Sequence, residues 1–331
     1  MGTREDVLNS IRHKQPDKIP YDIRFTIDAR KKMVAYYNDP EFELKLNNCL
    51  TIVRTNTHRE VSPNIWQDQF GVKWDRTLDK DIGVVKDILI TPQNLDDFVL
   101  PDPDDPKIYQ RIRQELPKKR NTLLTVKMSY NLFERAWSLA GMQNVFLYML
   151  DNKDFLNKLL DKILEYNLRL IENTCKIDID AILFGDDWGQ QTGLLMGPQL
   201  WGEFIEPRIR EMYKSVKGHG KYVFLHCCGK IQEILPELIG CGLDVFNPFQ
   251  PEVMDVYEMK RLFGDQLTFY GGISTQKTLP FANPQDVGDE VKKLIDVVGN
   301  NGGLIVSPAH AVPGDAKPEN IARMIEVLES Q

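Results

Sequence analysis

From residue 123 onward, apolar residues gather into short continuous runs. Longer stretches between them place apolar residues every three or four positions. The short runs, at 123–130, 181–185, 222–226, 243–247, 267–272 and 303–308, predict strands. The longer stretches, at 133–150, 155–176, 198–217, 231–239, 256–263, 284–298 and 318–328, predict helices. Runs that are apolar throughout, without strict alternation, belong to strands covered on both faces, as in a parallel sheet. Strand and helix in turn make βαβ units.

The first third reads differently. Residues 3–13 predict a short amphipathic helix, 15–18 a turn, and 19–27 a first strand carrying Arg24 near its end. One or two helices follow within 28–60, at 30–37 and 40–46. Trp66, Phe70, Val72 and Trp74, then residues 83–90, predict a small antiparallel insert over 61–100. The Pro-Asp run at 101–106 is a rigid connector. Seven strands of the parallel kind, with an eighth plausible in the insert region, predict an α/β fold. They favour a single closed (β/α)8 TIM barrel spanning 1–331 over an open doubly wound sheet. No Gly-rich phosphate-binding pattern follows the first strand, which also counts against the open sheet.

Composition narrows the function. The 331 residues are 42% hydrophobic, enough for a sizeable core, and carry a formal net charge of −7. An acidic balance disfavours nucleic acid or an anionic membrane as partner. No apolar run reaches the ~20 residues of a membrane helix. The charged start lacks the apolar centre of a signal peptide, so a cytoplasmic protein is expected. Five cysteines, two of them adjacent, suit reduced thiols and a metal role better than a disulfide framework.

The chemistry collects at the strand ends, where a barrel of this type keeps its active site. Along a strand, residues i and i+2 point the same way. His226 and Cys228 therefore converge while Cys227 aims away. An imidazole and a thiolate aimed at one point are two of the three protein ligands of an open catalytic Zn²⁺ site. The plainer alternative is a strand end with a stray histidine and two packed thiols. His310, after the final strand, supplies the missing third ligand. Asp186 and Asp187 are candidate catalytic carboxylates, with helix capping as their alternative. Arg24, Met128, Tyr130, Trp188, Asn247 and Gln250 are candidate substrate-binding residues at the same mouth. Met128, Tyr130, Trp188 and Phe249 give it an apolar, aromatic wall. The expected charge of the mouth is acidic.

Several motifs resemble the uroporphyrinogen decarboxylase-like superfamily. They are Lys14-Gln15-Pro16-Asp17-Lys18-Ile19-Pro20, Gly185-Asp186-Asp187-Trp188-Gly189 and the stretch 196–207. The others are His226-Cys227-Cys228-Gly229-Lys230-Ile231, Asn247-Pro248-Phe249-Gln250-Pro251 and the ending from Ser307-Pro308-Ala309-His310 to Pro318-Glu319-Asn320. The resemblance covers nearly the whole chain and implies a (β/α)8 barrel. True uroporphyrinogen decarboxylases carry an arginine-rich first-strand segment. Here only Arg24 matches it. The corrinoid methyltransferases of the superfamily use an H-x-C pair plus a late cysteine as zinc ligands. His226 and Cys228 match the pair, and His310 stands for the cysteine.

Replacing one thiolate by an imidazole leaves zinc more positive and a better Lewis acid. That implies transfer of a methyl group from a small methyl ether to the cob(I)alamin of a partner corrinoid protein, as in O-demethylase systems. A metal-free decarboxylase and a non-catalytic corrinoid- or ligand-binding barrel are the alternative readings.

Overall fold

A computed structural model describes residues 3–331. In chain order its strands are β1 (Leu50–Arg54), β2 (His58–Ser62), β3 (Ile65–Asp68), β4 (Lys73–Asp75), β5 (Val84–Val85), β6 (Leu123–Ser129), β7 (Ala181–Gly185), β8 (Tyr222–His226), β9 (Val245–Phe249), β10 (Thr268–Ile273) and β11 (Leu304–Pro308). Seven of them form one sheet in the order β1-β6-β7-β8-β9-β10-β11. Every pairing in it is parallel.

This sheet curls. Leu50, Leu123, Ala181, Leu183, Phe224, Val245, Tyr270 and Ile305 come from all seven strands, yet they share one buried cluster. Val7, Leu8 and Ile11 of the helix Arg4–Ile11 belong to the same cluster, so that helix plugs one end of the lumen. The opposite strand faces, such as Val126, Ile182, Leu225 and Phe246, pack outward in a second, larger cluster with the surrounding helices. Apolar side chains on both faces near the start of each strand account for the largely apolar runs.

The first strand expected at 19–27 is not a regular strand. It is a segment with isolated bridges at Tyr21 to Val306 and Phe25 to Val312. Pro20 has no N–H to give, and both backbone groups of Ile23 are taken by the Asn48 side chain at 2.8 and 3.0 Å. Thr26 then caps the helix Ile27–Tyr37, which ends the extended run. The segment still bonds both edges of the sheet. Asp22 N donates to Val306 O, Val306 N to Pro20 O, and Cys49 N to Tyr21 O. β1 itself falls where only helices were expected. Its signal was the β-branched run Thr51-Ile52-Val53.

β2 to β5 form a four-stranded antiparallel sheet. One buried ion pair ties it to the main body. Asp68 meets Arg135 at 2.8 Å with both side chains 0% exposed. Asp68 also accepts from Phe70 N and Val72 N, and Arg135 lies 3.8 Å over the Phe70 ring.

Candidate metal centre

Two loops at the carboxyl ends of β7 and β8 build the site by holding one another. Asp186 N donates to His226 O, Trp188 N to Cys227 Sγ at 3.2 Å, and Lys230 N to Gln190 O. They touch through two glycines: a Cβ on Gly229 would sit 2.4 Å from the Gly189 carbonyl carbon, and one on Gly189 would sit 2.5 Å from Cys228 O. Gly229 also adopts φ +90, which only glycine takes readily. Gln250 fastens the turn by accepting from Gly229 N at 2.7 Å.

This brings His226, Cys228 and His310 together, with donor atoms all within 4.8 Å of one another. Cys228 Sγ lies 3.6 Å from His226 Nε2, and the two imidazole rings are 5.8 Å apart. Asn247 faces His226 across the β8–β9 register. Its amide nitrogen is spent on Tyr270 O at 2.9 Å, so its oxygen turns to His226 Nδ1 at 2.5 Å. Nδ1 must then carry the proton, and the lone pair sits on Nε2, toward Cys228. Burial and the nearby Lys127 charge hold His226 well below the usual histidine range, so it stays neutral. A neutral Nε2, a thiol and a second imidazole converging here fit a Zn²⁺ ion by donor type and number. The bond from Asn247 is the outer support such a ligand needs. Cys227 is fully buried and faces the outer cluster.

Register then decides what else faces the lumen. His226 pairs with Gly185, Gly185 with Ser129, and Lys127 with Arg54. Counting in twos from these pairs, Asp187, Lys127 and Arg54 share the side of His226. Asp187 accepts from Cys228 N at 2.8 Å, and burial raises its carboxyl above the ordinary range. Lys127 and Arg54 bring two positive charges to a mouth that was expected to be acidic. Burial and Arg54 bring the Lys127 ammonium down to about 8. Glu134, close to Asp187 and Lys127, is pushed well up by burial and by Asp187. None of these three was expected at the site. A lysine inside an otherwise apolar strand was the available signal.

Several expected residues lie elsewhere. Asp186 is 2% exposed and has the opposite parity to Asp187. It accepts from Phe133 N at 3.0 Å, Glu134 N at 2.7 Å and Trp188 Nε1 at 2.7 Å. It therefore caps the helix Phe133–Ala140, which lies before it in the chain, and not the next helix that the capping alternative named. Met128, Trp188 and Phe249 are buried in the outer cluster, so the expected aromatic wall does not form. Trp188 packs against Trp201, and Phe249 stacks on Phe269 at 4.2 Å. Arg24 is held by Asp22 through two bonds of 2.8 Å and by Leu50 O. Tyr130 turns aside at φ +53, its ring 4.8 Å from that of Trp74. Asn247 and Gln250 act on the loops and ligands described above.

The family model for uroporphyrinogen decarboxylase (URO-D) matches residues 67–331. The chain belongs to the uroporphyrinogen decarboxylase family. Methylcobamide:CoM methyltransferase MtaA of Methanosarcina barkeri is 23% identical over 190 residues, 57% of this chain and 53% of that protein. A uroporphyrinogen decarboxylase of Rickettsia bellii is 22% identical over 232 residues, 67% of this chain and 64% of that one. The match thus spans about half of the first relative and under two thirds of the second. Among solved structures, a methyltransferase from Methanosarcina mazei superposes with a TM-score of 0.73 at 15% identity, covering 100% of this chain and 99% of that one. That likeness is one of fold. The family thus holds both methyl-transferring and decarboxylating relatives of this chain. No helix among the described residues is long and apolar enough to cross a membrane.

Proposed function

We propose that this member of the uroporphyrinogen decarboxylase family is a zinc-dependent methyltransferase of the O-demethylase type. It moves a methyl group from a small methyl ether to the cob(I)alamin of a partner corrinoid protein. The observation that carries the reading is the convergence of His226, Cys228 and His310 with Nε2 of His226 left free by Asn247. His226, Cys228 and His310 would hold zinc, which when bound supplies a Lewis acid for the ether oxygen. Asn247 fixes the tautomer and aim of His226. Asp187, hydrogen-bonded to the Cys228 amide, is assigned the proton that the departing oxygen needs once its bond to the methyl carbon breaks. Asp186 holds the loop and takes no part in the chemistry. The segment around Tyr21 to Phe25 is read as the eighth stave of a (β/α)8 barrel spanning the chain as one domain, in support of which it bonds both β11 and β1.

The test is formation of methylcobalamin. Zinc-loaded protein, free cob(I)alamin and a panel of methoxy compounds should give the methylcobalamin spectrum, and a chelator should abolish it. Failure with every donor, together with chelator-insensitive release of CO2 from uroporphyrinogen, would establish the decarboxylase reading instead.

A further inference from the structure

Arg54 and Lys127 are direct partners in the parallel register of β1 and β6. Both share the inward side with Leu50 and Leu123, which lie in the lumen cluster. The two strand ends are locked by Asn56, which donates to Ser129 O at 3.1 Å and accepts from Ser129 N at 3.1 Å. Two like charges side by side on one sheet face repel. Among the described residues neither cation has a carboxylate within 4.0 Å, although the chain makes ion pairs of that length in many other places. Asp187 and Glu134 face Lys127 from further off. Asp187 is already spent on the Cys228 amide, and Glu134 is driven toward its neutral form. The mouth therefore keeps an excess of positive charge on one wall, beside the three converging ligands.

We propose that Arg54 and Lys127 form a carboxylate-binding clasp, so that the small molecule taken at this mouth carries one carboxylate besides its reacting group. A guanidinium fork matches a planar carboxylate in two parallel hydrogen bonds, and the ammonium adds a third donor. A single carboxylate can answer both cations at once. This rests on the methyl-transfer reading only for the choice of probe.

The experiment is equilibrium binding of 3-methoxybenzoate and of its neutral counterpart 3-methoxybenzamide, without corrinoid. It is run on the zinc-loaded and the chelator-treated protein. The acid should bind about tenfold more tightly than the amide in both forms, the worth of charge-assisted hydrogen bonds. Arg54→Gln and Lys127→Met should each bring the preference to within about twofold. Equal binding of acid and amide, no saturable binding of either, or a preference kept by both variants would overturn the clasp. A preference that vanishes with the zinc would also overturn it, since the carboxylate would then sit on the metal. Because no methyl transfer is read, loss of the clasp and loss of the methyltransferase reading register separately.

Discussion

His226 gives its Nδ1 proton to the side-chain oxygen of Asn247 at 2.5 Å, and that bond leaves Nε2 as the only free nitrogen facing Cys228. Asn247 cannot flip to offer its nitrogen instead, because Tyr270 O already holds that group. Replacing Asn247 by Leu removes the acceptor and frees the ring to turn. Zinc affinity should fall by roughly 10–100-fold, the usual cost of losing such a support. Competition with a chromogenic chelator measures it. Unchanged affinity would mean that packing alone orients the ring.

Zinc should bind at one ion per chain. His226→Ala, Cys228→Ala and His310→Ala should each lose it, as metal analysis of protein prepared in zinc-supplemented medium would show. Cys227→Ala should keep it, because that thiol faces the outer cluster. The expected cost there is one of stability, roughly 1–3 kcal/mol, from the Trp188 N–H left without its partner and the small void left by the sulfur. Loss of zinc in the Cys227 variant alone would mean that the strand register is wrong by one residue.

The two adjacent aspartates should separate cleanly. Asp186→Ala leaves three buried donors unpaired and should cost roughly 3 kcal/mol or more in urea unfolding, at about 1 kcal/mol or more for each. Asp187→Asn keeps an acceptor for the Cys228 amide and should unfold almost as the parent does. Its methyl transfer should nevertheless slow by roughly 100-fold if it carries the proton. A variant pair that behaved the other way round would reverse the assignment.

Lys127 gives a pH signature. Its ammonium titrates near 8, below the ordinary 10.5, chiefly because it is buried and secondly because of Arg54. Below pH 8 the charge is present in both the folded and unfolded chain, and its full penalty weighs on the fold. Between about 8 and 10.5 the unfolded chain holds more protons, so stability rises with pH across that window. Lys127→Met removes the penalty. The zinc-free variant should be more stable than the parent at pH 7, with the gap closing as pH rises through 8 to 10.5. Urea midpoints at several pH values test it, and a gap independent of pH would refute it.

The Asp68–Arg135 pair should be costly to break from one side. Asp68→Ala leaves a fully buried guanidinium without its counterion and should lose about 3–5 kcal/mol. Adding Arg135→Met to it should recover most of the loss in the same unfolding assay. If the double variant stayed as unstable as the single one, the anchoring role would belong to the Asp68 bonds to Phe70 and Val72 instead.

The sequence alone determined β6 to β11 and the helices between them, because strands covered on both faces are mostly apolar. It also determined that His226 and Cys228 aim together and that Cys227 does not, since strand geometry fixes parity over two residues. Parity is only relative, however. Which parity is inside was decided by the curl of the sheet and by its register. The same alternation that joins His226 to Cys228 also separates Asp187 from Asp186 and Lys127 from Met128. Asp186, Met128 and Trp188, expected at the mouth, are excluded from it by their parity. The pairing of Arg54 with Lys127 was beyond reach, because residues 73 positions apart become neighbours only through a crossover between strands. The same holds for the segment around Tyr21. Its backbone partners come from Val306 at one end of the chain and from Cys49 and Asn48 nearby. No local pattern records hydrogen bonds that form only when a sheet curls far enough to bring its two edges to one segment.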